Sequence, residues 1–333
     1  NSFTITNGSD DVGGGIRILN SENVTITNCN IEFNSADQCG GGIVADGSSY
    51  ILINNSIIRN NTAGACGGGF SSTNIDVVFQ DVLLADNSAG GYGGAIYSVH
   101  EDVISLFNVT VVGNSASAGS GNGSGGGGLY IDQKDANVLN TIVWNNYPDE
   151  IRIEGDPLVS INYSDIQDGL EGVTILNTPE FSWSESNIDA DPLFVDLDNG
   201  DFNLQWGSPC IDTGDPTSDL DPDGTRADMG AYYFNQTMGC TDMTALNFNP
   251  NSGVNDGSCQ YYQGPVWYVH TQGSDVVGVG FGIESAPFAT IQKGIDSLRM
   301  IPNGKGESEP YTITKEDQNS NKVGLFKKKI FKE

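Results

Sequence analysis

Carboxylates at alternating positions of one acidic turn are the residues of this sequence that point most directly to chemistry. Asp219, Asp221 and Asp223 are followed by Gly224, which permits a sharp turn, and Asp228 comes soon after. Oxygen ligands at this spacing are typical of the first half of a calcium-binding loop. The distant bidentate glutamate of such loops is missing, and Asp228 is the candidate to replace it. The sequence therefore predicts a structural calcium ion, with an ion-free solvated turn as the alternative.

A second, weaker group of oxygen ligands lies in a short segment bounded by cysteines. Asp242, Asn249 and Asp256 fall between Cys240 and Cys259. A segment this short buries too little apolar surface to fold unaided, so we expect a Cys240–Cys259 disulfide to close it. The three oxygen-bearing side chains are candidate ligands for a further cation.

Combinations of residues that could catalyse a reaction are sparse. An eliminase needs a base beside a neutralised carboxylate, and a glycosidase needs two positioned carboxyl groups. Arg59 follows Glu32 by one repeat, so an ion pair accounts for it, and we expect no acidic–basic cluster on adjacent repeats. We therefore predict that the protein is not an enzyme. The basic residues before position 176 are Arg17, Arg59, Lys134 and Arg152.

A polysaccharide lyase or glycoside hydrolase remains the alternative to a protein without enzymatic activity. The feature that discriminates between them is a cluster of carboxylates and basic side chains on one exposed sheet face. Such a cluster would favour the enzyme, and its absence would favour a binding protein.

The elements that must position these residues are set by an internal repeat. Two columns of asparagines recur at intervals of about 27 residues, and such self-similarity at a fixed period indicates a stacked repeat. Glycine triplets keep the same interval. We expect both columns to lie inside the stack, where their amides bond from one coil to the next. The first column is Asn7, Asn34, Asn61, Asn87, Asn114 and Asn146, and the second is Asn28, Asn55, Asp81, Asn108 and Asn140.

Apolar and polar residues alternate between these markers, which predicts β-strands. Three apolar columns persist from coil to coil, and Ile26, Ile31 and Ile43 belong one to each. Three short strands per repeat describe a triangular parallel solenoid whose coils stack about 4.8 Å apart. The predicted fold class is therefore all-β.

The consensus sequence of the repeat resembles that of a known family. The coils read Asn-[Ser/Thr]-Ala, a spacer, then Gly-Gly-[Gly/Ala] and an apolar residue. This resembles the right-handed parallel β-helix repeats of bacterial surface proteins, including the polymorphic outer-membrane protein repeats. Residues 185–234 are similar to the closing segment called a choice-of-anchor domain, through Asp191-Pro192-Leu193-Phe194 and Gly207-Ser208-Pro209-Cys210. The resemblance implies a right-handed β-helix displayed outside a bacterial cell.

We expect four segments along the chain. They are a parallel β-helix over 1–180, a closing segment over 181–236, a disulfide-closed repeat over 237–262, and a truncated second β-helix with a basic tail over 263–333. The fold would thus be a right-handed parallel β-helix with a small, irregular, cysteine-clamped C-terminal module. Because the chain opens within a coil, we expect it to be part of a larger protein.

The remaining cysteines indicate the compartment. Cys39 and Cys66 each precede a glycine triplet one repeat apart, so they stack on adjacent coils within bridging distance. We expect this pair to form a disulfide, and we expect Cys29 and Cys210 to be free, buried thiols. Stable disulfides imply an oxidising compartment, so the predicted location is extracellular or on the cell surface.

Composition restricts the partners of the chain. The formal net charge is −29, so the protein will repel nucleic acids and anionic membranes, and no apolar run is long enough for membrane insertion. Tyr97 and Tyr130 are expected to be outward neighbours in one column and are candidates to bind glycans or other surface proteins. Adhesion or binding is therefore the predicted function. A structural stalk or filament component, the third possibility, would show polar faces without aromatic platforms.

Overall fold

The protein is described by a computed structural model. The structure describes residues 3–47, 50–100, 103–117, 125–177, 180–249, 252–255 and 257–261, and beyond them 266–270, 272, 274–275, 289, 311–314 and 322–328. The chain divides into two compact units, Asn1–Phe234 and Asn235–Glu333. The predicted all-β class is confirmed, since the helical segments of the described part are two short 3-10 turns, Gly169–Gly172 and Leu197–Asn199.

The first unit is a parallel solenoid built from three sheets, which we call the long, tyrosine and short sheets. The long sheet contains Phe3–Thr6, Val24–Thr27, Cys29–Glu32, Tyr50–Arg59, Asp76–Ala85, Val103–Val112, Asp135–Leu139, Ile142–Trp144, Leu158–Asn162, Asp165–Ile166 and Glu180–Trp183. The tyrosine sheet contains Ile16–Leu19, Ile43–Asp46, Phe70–Thr73, Ile96–Val99, Leu129–Asp132, Ile151–Glu154 and Val173–Ile175. The short sheet contains Ser9–Asp10, Ser35–Ala36, Thr62–Ala63, Ser88–Ala89 and Ser115–Ala116.

The three predicted apolar columns are confirmed by the strand register. Ile26 pairs with Ile53, Ile31 with Ile58, and Ile16 with Ile43. Side chains of these columns fill one continuous core between the sheets, and most of them are fully buried. Burial of these stacked columns is the main source of stability for the coils.

The first asparagine column is inside the solenoid and forms a continuous ladder. The backbone N–H and the side-chain Nδ2 of Asn61 both donate to Oδ1 of Asn87, at 3.1 and 3.0 Å. Asn61 Nδ2 also donates to the carbonyl of Ile31, 2.9 Å away. Each interior ladder residue repeats this pattern, and all of them point the same way along the solenoid. The ladder residues are Asn34, Asn61, Asn87, Asn114 and Asn146.

A buried carboxylate ends the ladder. Asn146 donates its backbone N–H and its Nδ2 to the two oxygens of Glu150, at 3.0 and 2.6 Å. Burial raises the pKa of Glu150 to about 7, the largest effect, while the bonds from Asn146 lower it. Sequence reasoning missed this residue because it lies four positions from Asn146 and outside the repeat.

The prediction that Asn7 belongs to the ladder is wrong. Gly8 occupies the ladder position of the first coil, since its N–H donates to Oδ1 of Asn34 at 2.9 Å. Asn7 is exposed with φ of 58°, and Asn60 holds the matching left-handed position two coils on. The separation of 27 residues between Asn34 and Asn61 suggested Asn7 as the preceding member. Gly8 lies only 26 residues before Asn34, because coil length varies by one residue.

The prediction for the second asparagine column is also wrong. This column lies at a bend in the long strands and not inside the stack. Asn28 and Asn55 are exposed. Every member has positive φ, such as 45° at Asn55 and 54° at Asp81, and Asn and Asp tolerate this left-handed conformation better than most residues. Part of the column still stacks: Asn108 donates to Asp81, and Asn140 to Asn108, both at 3.1 Å.

The glycine corner and the first disulfide agree with the prediction. Gly67 has φ of 60°, and a Cβ there would lie 2.4 Å from the carbonyl oxygen of Phe70, so a side chain is excluded. Next to this corner, Cys39 and Cys66 form a disulfide with a Cα–Cα distance of 4.6 Å. Cys29 is a free, half-buried thiol that packs against the core.

After residue 185 the chain folds back along the outer face of the long sheet. Outward side chains of the coils form a second apolar core with side chains of this closing segment. Backbone N–H groups of the segment also donate to the coils, from Ala231 to Thr110 Oγ1 and from Asp215 to Asn140 Oδ1. The second core contains Leu83, Ala85, Val112 and Ile142 of the coils and Phe194, Phe202, Leu204, Cys210 and Met229 of the closing segment.

A buried acid–thiol pair lies beneath the closing segment. Cys210, the second free thiol, donates to Oδ2 of Asp165 at 3.2 Å, and Ala190 donates its N–H to the other oxygen at 3.1 Å. Burial raises the pKa of Asp165 to about 7, and the neighbouring charges of Asp189 and Asp191 raise it further.

The second unit holds the other disulfide. Met238–Gly239 pairs with Val254–Asn255, and Cys240 is bridged to Cys259, as predicted. Farther on, Val266–His270, Tyr311–Thr314 and Lys322–Lys328 form an antiparallel sheet with Lys322–Lys328 in the middle. Most of the segment expected to open a second β-helix lies outside the described residues.

Candidate functional site: a tyrosine–carboxylate face

Three tyrosines cluster on the outward face of the tyrosine sheet. Tyr97 and Tyr130 are register partners on adjacent coils, and their rings stack with centroids 5.3 Å apart. Tyr92, at the glycine corner, places its ring 4.9 Å from that of Tyr130 and 6.2 Å from that of Tyr97. Alternation of side chains along a strand explains the placement, since the flanking Ile96 points into the core.

The three rings are not equally accessible. Tyr130 is only 5% exposed, whereas Tyr92 and Tyr97 are half-exposed. Tyr130 was predicted as an outward binding residue, but its ring is packed against the rings of both neighbours. Tyr92 and Tyr97 are therefore the rings that a ligand can reach, and Tyr130 supports them.

A network of charged side chains borders the tyrosines. Arg152 is the register partner of Tyr130 on the next coil. Its Nε lies 2.8 Å from Oε1 of Glu154, and one terminal nitrogen lies 3.7 Å from Asp149. Burial raises the pKa of the Tyr130 hydroxyl, and the nearby Glu154 raises it further. These ion pairs lie within one coil, and Asp132 of the preceding coil, the register partner of Glu154, joins them to form an acidic–basic group that sequence reasoning missed.

Asp132 is the second carboxylate of the face. It is half-buried and is the register partner of Glu154. Burial raises the pKa of Asp132 above its usual value, and the negative charge of Glu154 raises it further, while the charge of His100 acts in the opposite direction. The pKa of the Tyr97 hydroxyl is also raised, first by burial and then by the charge of Asp132.

The change in coil length explains why the sequence did not reveal this face. The chain from Tyr97 to Tyr130 is longer than an earlier coil, because it contains the glycine-rich insertion, and the chain from Tyr130 to Arg152 is shorter. Columns extended at the fixed period of the earlier coils therefore missed Arg152 and Glu154. We define the tyrosine–carboxylate face as Tyr92, Tyr97, Tyr130, Asp132, Asp149, Arg152 and Glu154.

Other ionisable side chains of the coils serve the scaffold. The predicted ion pair of Arg59 and Glu32 is confirmed, with Nε and Oε2 2.8 Å apart. Lys134 is fully buried, and its Nζ donates to the carbonyl of Ile75. Asp81, a member of the second column, accepts from Asn108 at the bend.

The structure gives the acidic turn a clear scaffold role. Oδ1 and Oδ2 of Asp228 accept the N–H groups of Asp212 and Phe234, at 2.7 and 2.6 Å. Asp221 accepts the N–H of Asp228 at 2.9 Å, and Asp223 accepts from Thr225, so these carboxylates hold the local backbone. Asp219 is exposed.

The electrostatics of the acidic turn leave calcium as a prediction. Burial and the nearby charge of Asp228 raise the pKa of Asp221 to about 7, and burial raises that of Asp228 to about 6. A cation would relieve this repulsion, and carboxylate oxygens are suitable ligands. However, in the part of the chain that the structure describes, no group of three or more His, Cys, Asp or Glu side chains is arranged to hold a metal ion.

The weaker cation candidates have local partners. Asp242 accepts from Thr244 and from the hydroxyl of Tyr261, which lies 2.7 Å away. These bonds lower the pKa of Asp242, with Thr244 contributing most. The N–H of Asn249 donates to the carbonyl of Cys240 at 2.9 Å. Asp256 lies outside the described residues, so this cation site also stays a prediction.

The sheets and their register define the class of protein, a parallel β-helix repeat protein. Residues 2–132 match the model of the family described as "Right handed beta helix region", which supports the predicted handedness. This match does not test the resemblance to polymorphic outer-membrane protein repeats or to a choice-of-anchor segment, and both stay predictions.

The crystal structure of pectate lyase Pel9A is similar to this chain at 13% sequence identity with a TM-score of 0.36, over 70% of this chain and 72% of that one. None of the curated proteins matches the chain in sequence. No helix among the described residues is long and apolar enough to cross a membrane.

Proposed function

We propose that this chain is an extracellular binding segment that attaches to glycans through the tyrosine–carboxylate face. The observation that carries the proposal is the pair of half-exposed rings, Tyr92 and Tyr97, supported by the buried ring of Tyr130. Aromatic faces bind the apolar C–H faces of sugar rings, and the adjacent carboxylates offer hydrogen-bond partners for hydroxyl groups.

The cell exterior is part of the same proposal. Both disulfides favour an oxidising compartment. A net charge of −29 disfavours nucleic acids and anionic lipid surfaces as partners. The family resemblance of the coils supports a bacterial surface or secreted protein, for which adhesion to glycans or to other surface proteins is a reasonable role.

The tyrosine–carboxylate face favours binding over a purely structural stalk. A stalk needs only polar outer faces, whereas this face places aromatic rings beside a fixed guanidinium and three carboxylates. A polysaccharide-active enzyme is the second candidate. The face contains a cluster of carboxylates around Arg152, which is the feature expected of an enzyme.

Oligosaccharide binding tests the proposal. The purified chain is applied to an array of immobilised neutral, acidic and amino-sugar oligosaccharides, and hits are measured by calorimetry. Tyr97→Ala should weaken binding about 5- to 150-fold, since stacking on an aromatic side chain contributes about 1–3 kcal/mol. Tyr97→Phe, which keeps the ring, should bind nearly as well as the unchanged protein.

A matched control separates the face from the rest of the surface. Tyr233 is 42% exposed and lies on the closing segment, which covers the long sheet. Tyr233→Ala should leave binding unchanged. Equal loss in Tyr233→Ala and Tyr97→Ala, or no binding to any oligosaccharide, would refute a glycan site at this face.

A further inference from the structure

We propose that the tyrosine–carboxylate face also hydrolyses the glycan it binds, with Glu154 as nucleophile and Asp132 as general acid and base. This inference rests on the proposed glycan binding and goes beyond it. It is carried by two carboxylates on adjacent coils whose surroundings differ in the way that a pair of catalytic carboxylates requires.

The register sets the spacing of the two carboxylates. Asp132 and Glu154 are Cα partners on neighbouring parallel strands and project from the same face. Parallel strands lie about 4.8 Å apart. Glycosidases that retain anomeric configuration place their two carboxyl groups about 5–5.5 Å apart, whereas inverting enzymes need a wider gap for water. Side chains that project in register from neighbouring strands suit the close arrangement better than the wide one, and on this ground we assign a double displacement with retention.

The surroundings of Glu154 suit a nucleophile. Nε of Arg152 lies 2.8 Å from Oε1 of this carboxylate. This charge-assisted contact fixes the orientation of the carboxylate. Arg152 is itself held by Asp149 and is only 7% exposed, so it positions Glu154.

The surroundings of Asp132 suit a general acid. Asp132 is half-buried and faces the negative charge of Glu154, and both effects raise its pKa above the usual value. A raised pKa keeps a proton available for the leaving oxygen. When Glu154 loses its charge in a covalent intermediate, the repulsion disappears, and Asp132 then ionises more readily and acts as a base.

The reaction proceeds in two balanced steps. The carboxylate of Glu154 attacks the anomeric carbon, the bond from that carbon to the leaving oxygen breaks, and Asp132 gives its proton to this oxygen. A glycosyl ester of Glu154 results. Water then attacks the anomeric carbon, Asp132 takes a proton from the water, and the ester bond breaks. The products are two shortened glycans, with Asp132 protonated and Glu154 ionised again.

The charge of the face indicates the class of glycan. Asp132, Asp149 and Glu154 outnumber the single guanidinium of Arg152. A polymer of uronic acids would be repelled, so the substrate is neutral or carries amino groups. Elimination is also disfavoured, because it requires a free base and a neutralised substrate carboxylate, and Arg152 is engaged by two carboxylates.

The test uses 2,4-dinitrophenyl glycosides of neutral hexoses, pentoses and amino sugars, together with any oligosaccharide that binds. We expect release of dinitrophenol and of reducing ends by the unchanged protein, and loss of both in Glu154→Gln. Asp132→Asn should slow oligosaccharide cleavage about 10²–10⁴-fold. It should still release dinitrophenol in a first turnover, because this leaving group needs no proton. Intact-mass spectrometry of Asp132→Asn should then detect one added sugar residue.

Controls make each outcome decisive. Asp46 lies in the same outward column of the same sheet, on an earlier coil, and Asp46→Asn should cleave as the unchanged protein does. Circular dichroism establishes that each variant is folded. Binding without cleavage by the unchanged protein would overturn this inference and leave the proposed binding intact, whereas absence of binding would overturn both. Cleavage that survives in folded Asp132→Asn and Glu154→Gln would also overturn the assignment.

Discussion

Removing one amide from the ladder should destabilise the coils more than its size suggests. Asn61 is fully buried, and its Oδ1 accepts two bonds from Asn34, one from the backbone N–H and one from Nδ2, both at 3.0 Å. Its own Nδ2 donates to Ile31 and to Asn87. Asn61→Ala deletes all four of these bonds.

The magnitude follows from the groups left without partners. Two N–H groups of Asn34 lose their acceptor in a position that is 1% exposed. A buried donor without a partner costs about 1–3 kcal/mol, so the expected loss is about 2–6 kcal/mol. The low end applies if water enters beside the new methyl group.

Denaturant unfolding, followed by circular dichroism, provides the measurement. The matched control is Asn55→Gly, which removes an exposed amide at the left-handed bend, where φ is 45°. Glycine adopts this conformation without strain, so we expect a change within about 0.5 kcal/mol of the unchanged protein. If Asn61→Ala were no more destabilising than Asn55→Gly, the ladder would contribute little and the reasoning would fail.

Three further outcomes are expected. Stability should fall as pH rises from about 4.5 to about 7, because the pKa of Glu150, about 7 in the fold against 4.5 ordinarily, means that the folded state holds this proton more tightly. This effect amounts to about 3 kcal/mol, and Glu150→Gln should make the profile measured by urea unfolding less steep by that amount, while the raised pKa values of Asp165 and Asp221 keep part of the slope. Millimolar Ca²⁺ should raise the unfolding temperature and Asp221→Asn should abolish that rise, whereas no calcium response would remove the predicted site. Without reductant, labelling of the denatured chain should modify two thiols, Cys29 and Cys210, and labelling of all six cysteines would contradict both bridges.

The solenoid could be predicted from the sequence because its signals are local and repeated. Apolar alternation places the columns that contain Ile26, Ile31 and Ile43 in the core. The same strand register then repeats from coil to coil. The disulfide of Cys39 and Cys66 followed from the same periodicity. In a repeat protein each coil contacts mainly its neighbours, so the fold depends on few contacts between distant parts of the sequence.

What could not be predicted depends on departures from the period or on contacts between distant segments. Glu150 ends the ladder from a position outside the repeat, and Glu154 meets Asp132 because the coil between them is shorter than the earlier ones. The apolar outward residues Leu83 and Val112 were a missed signal, since they lie beneath the closing segment. Asparagine at the bend and asparagine in the ladder are the same residue type, and only burial distinguishes them.

The uniform direction of the ladder constrains how such a solenoid can lengthen. Every ladder asparagine donates hydrogen bonds to the next residue in the direction of Asn146. The backbone N–H and Nδ2 of Asn146 donate to the carboxylate oxygens of Glu150. A duplicated coil inserted between Asn34 and Asn146 would find an acceptor ahead of it and a donor behind it. A coil added past Glu150 would find a carboxylate where it needs an amide donor. Gene duplication could therefore extend the ladder by copying interior coils, whereas past Glu150 the sheets continue as far as Glu180–Trp183 without it.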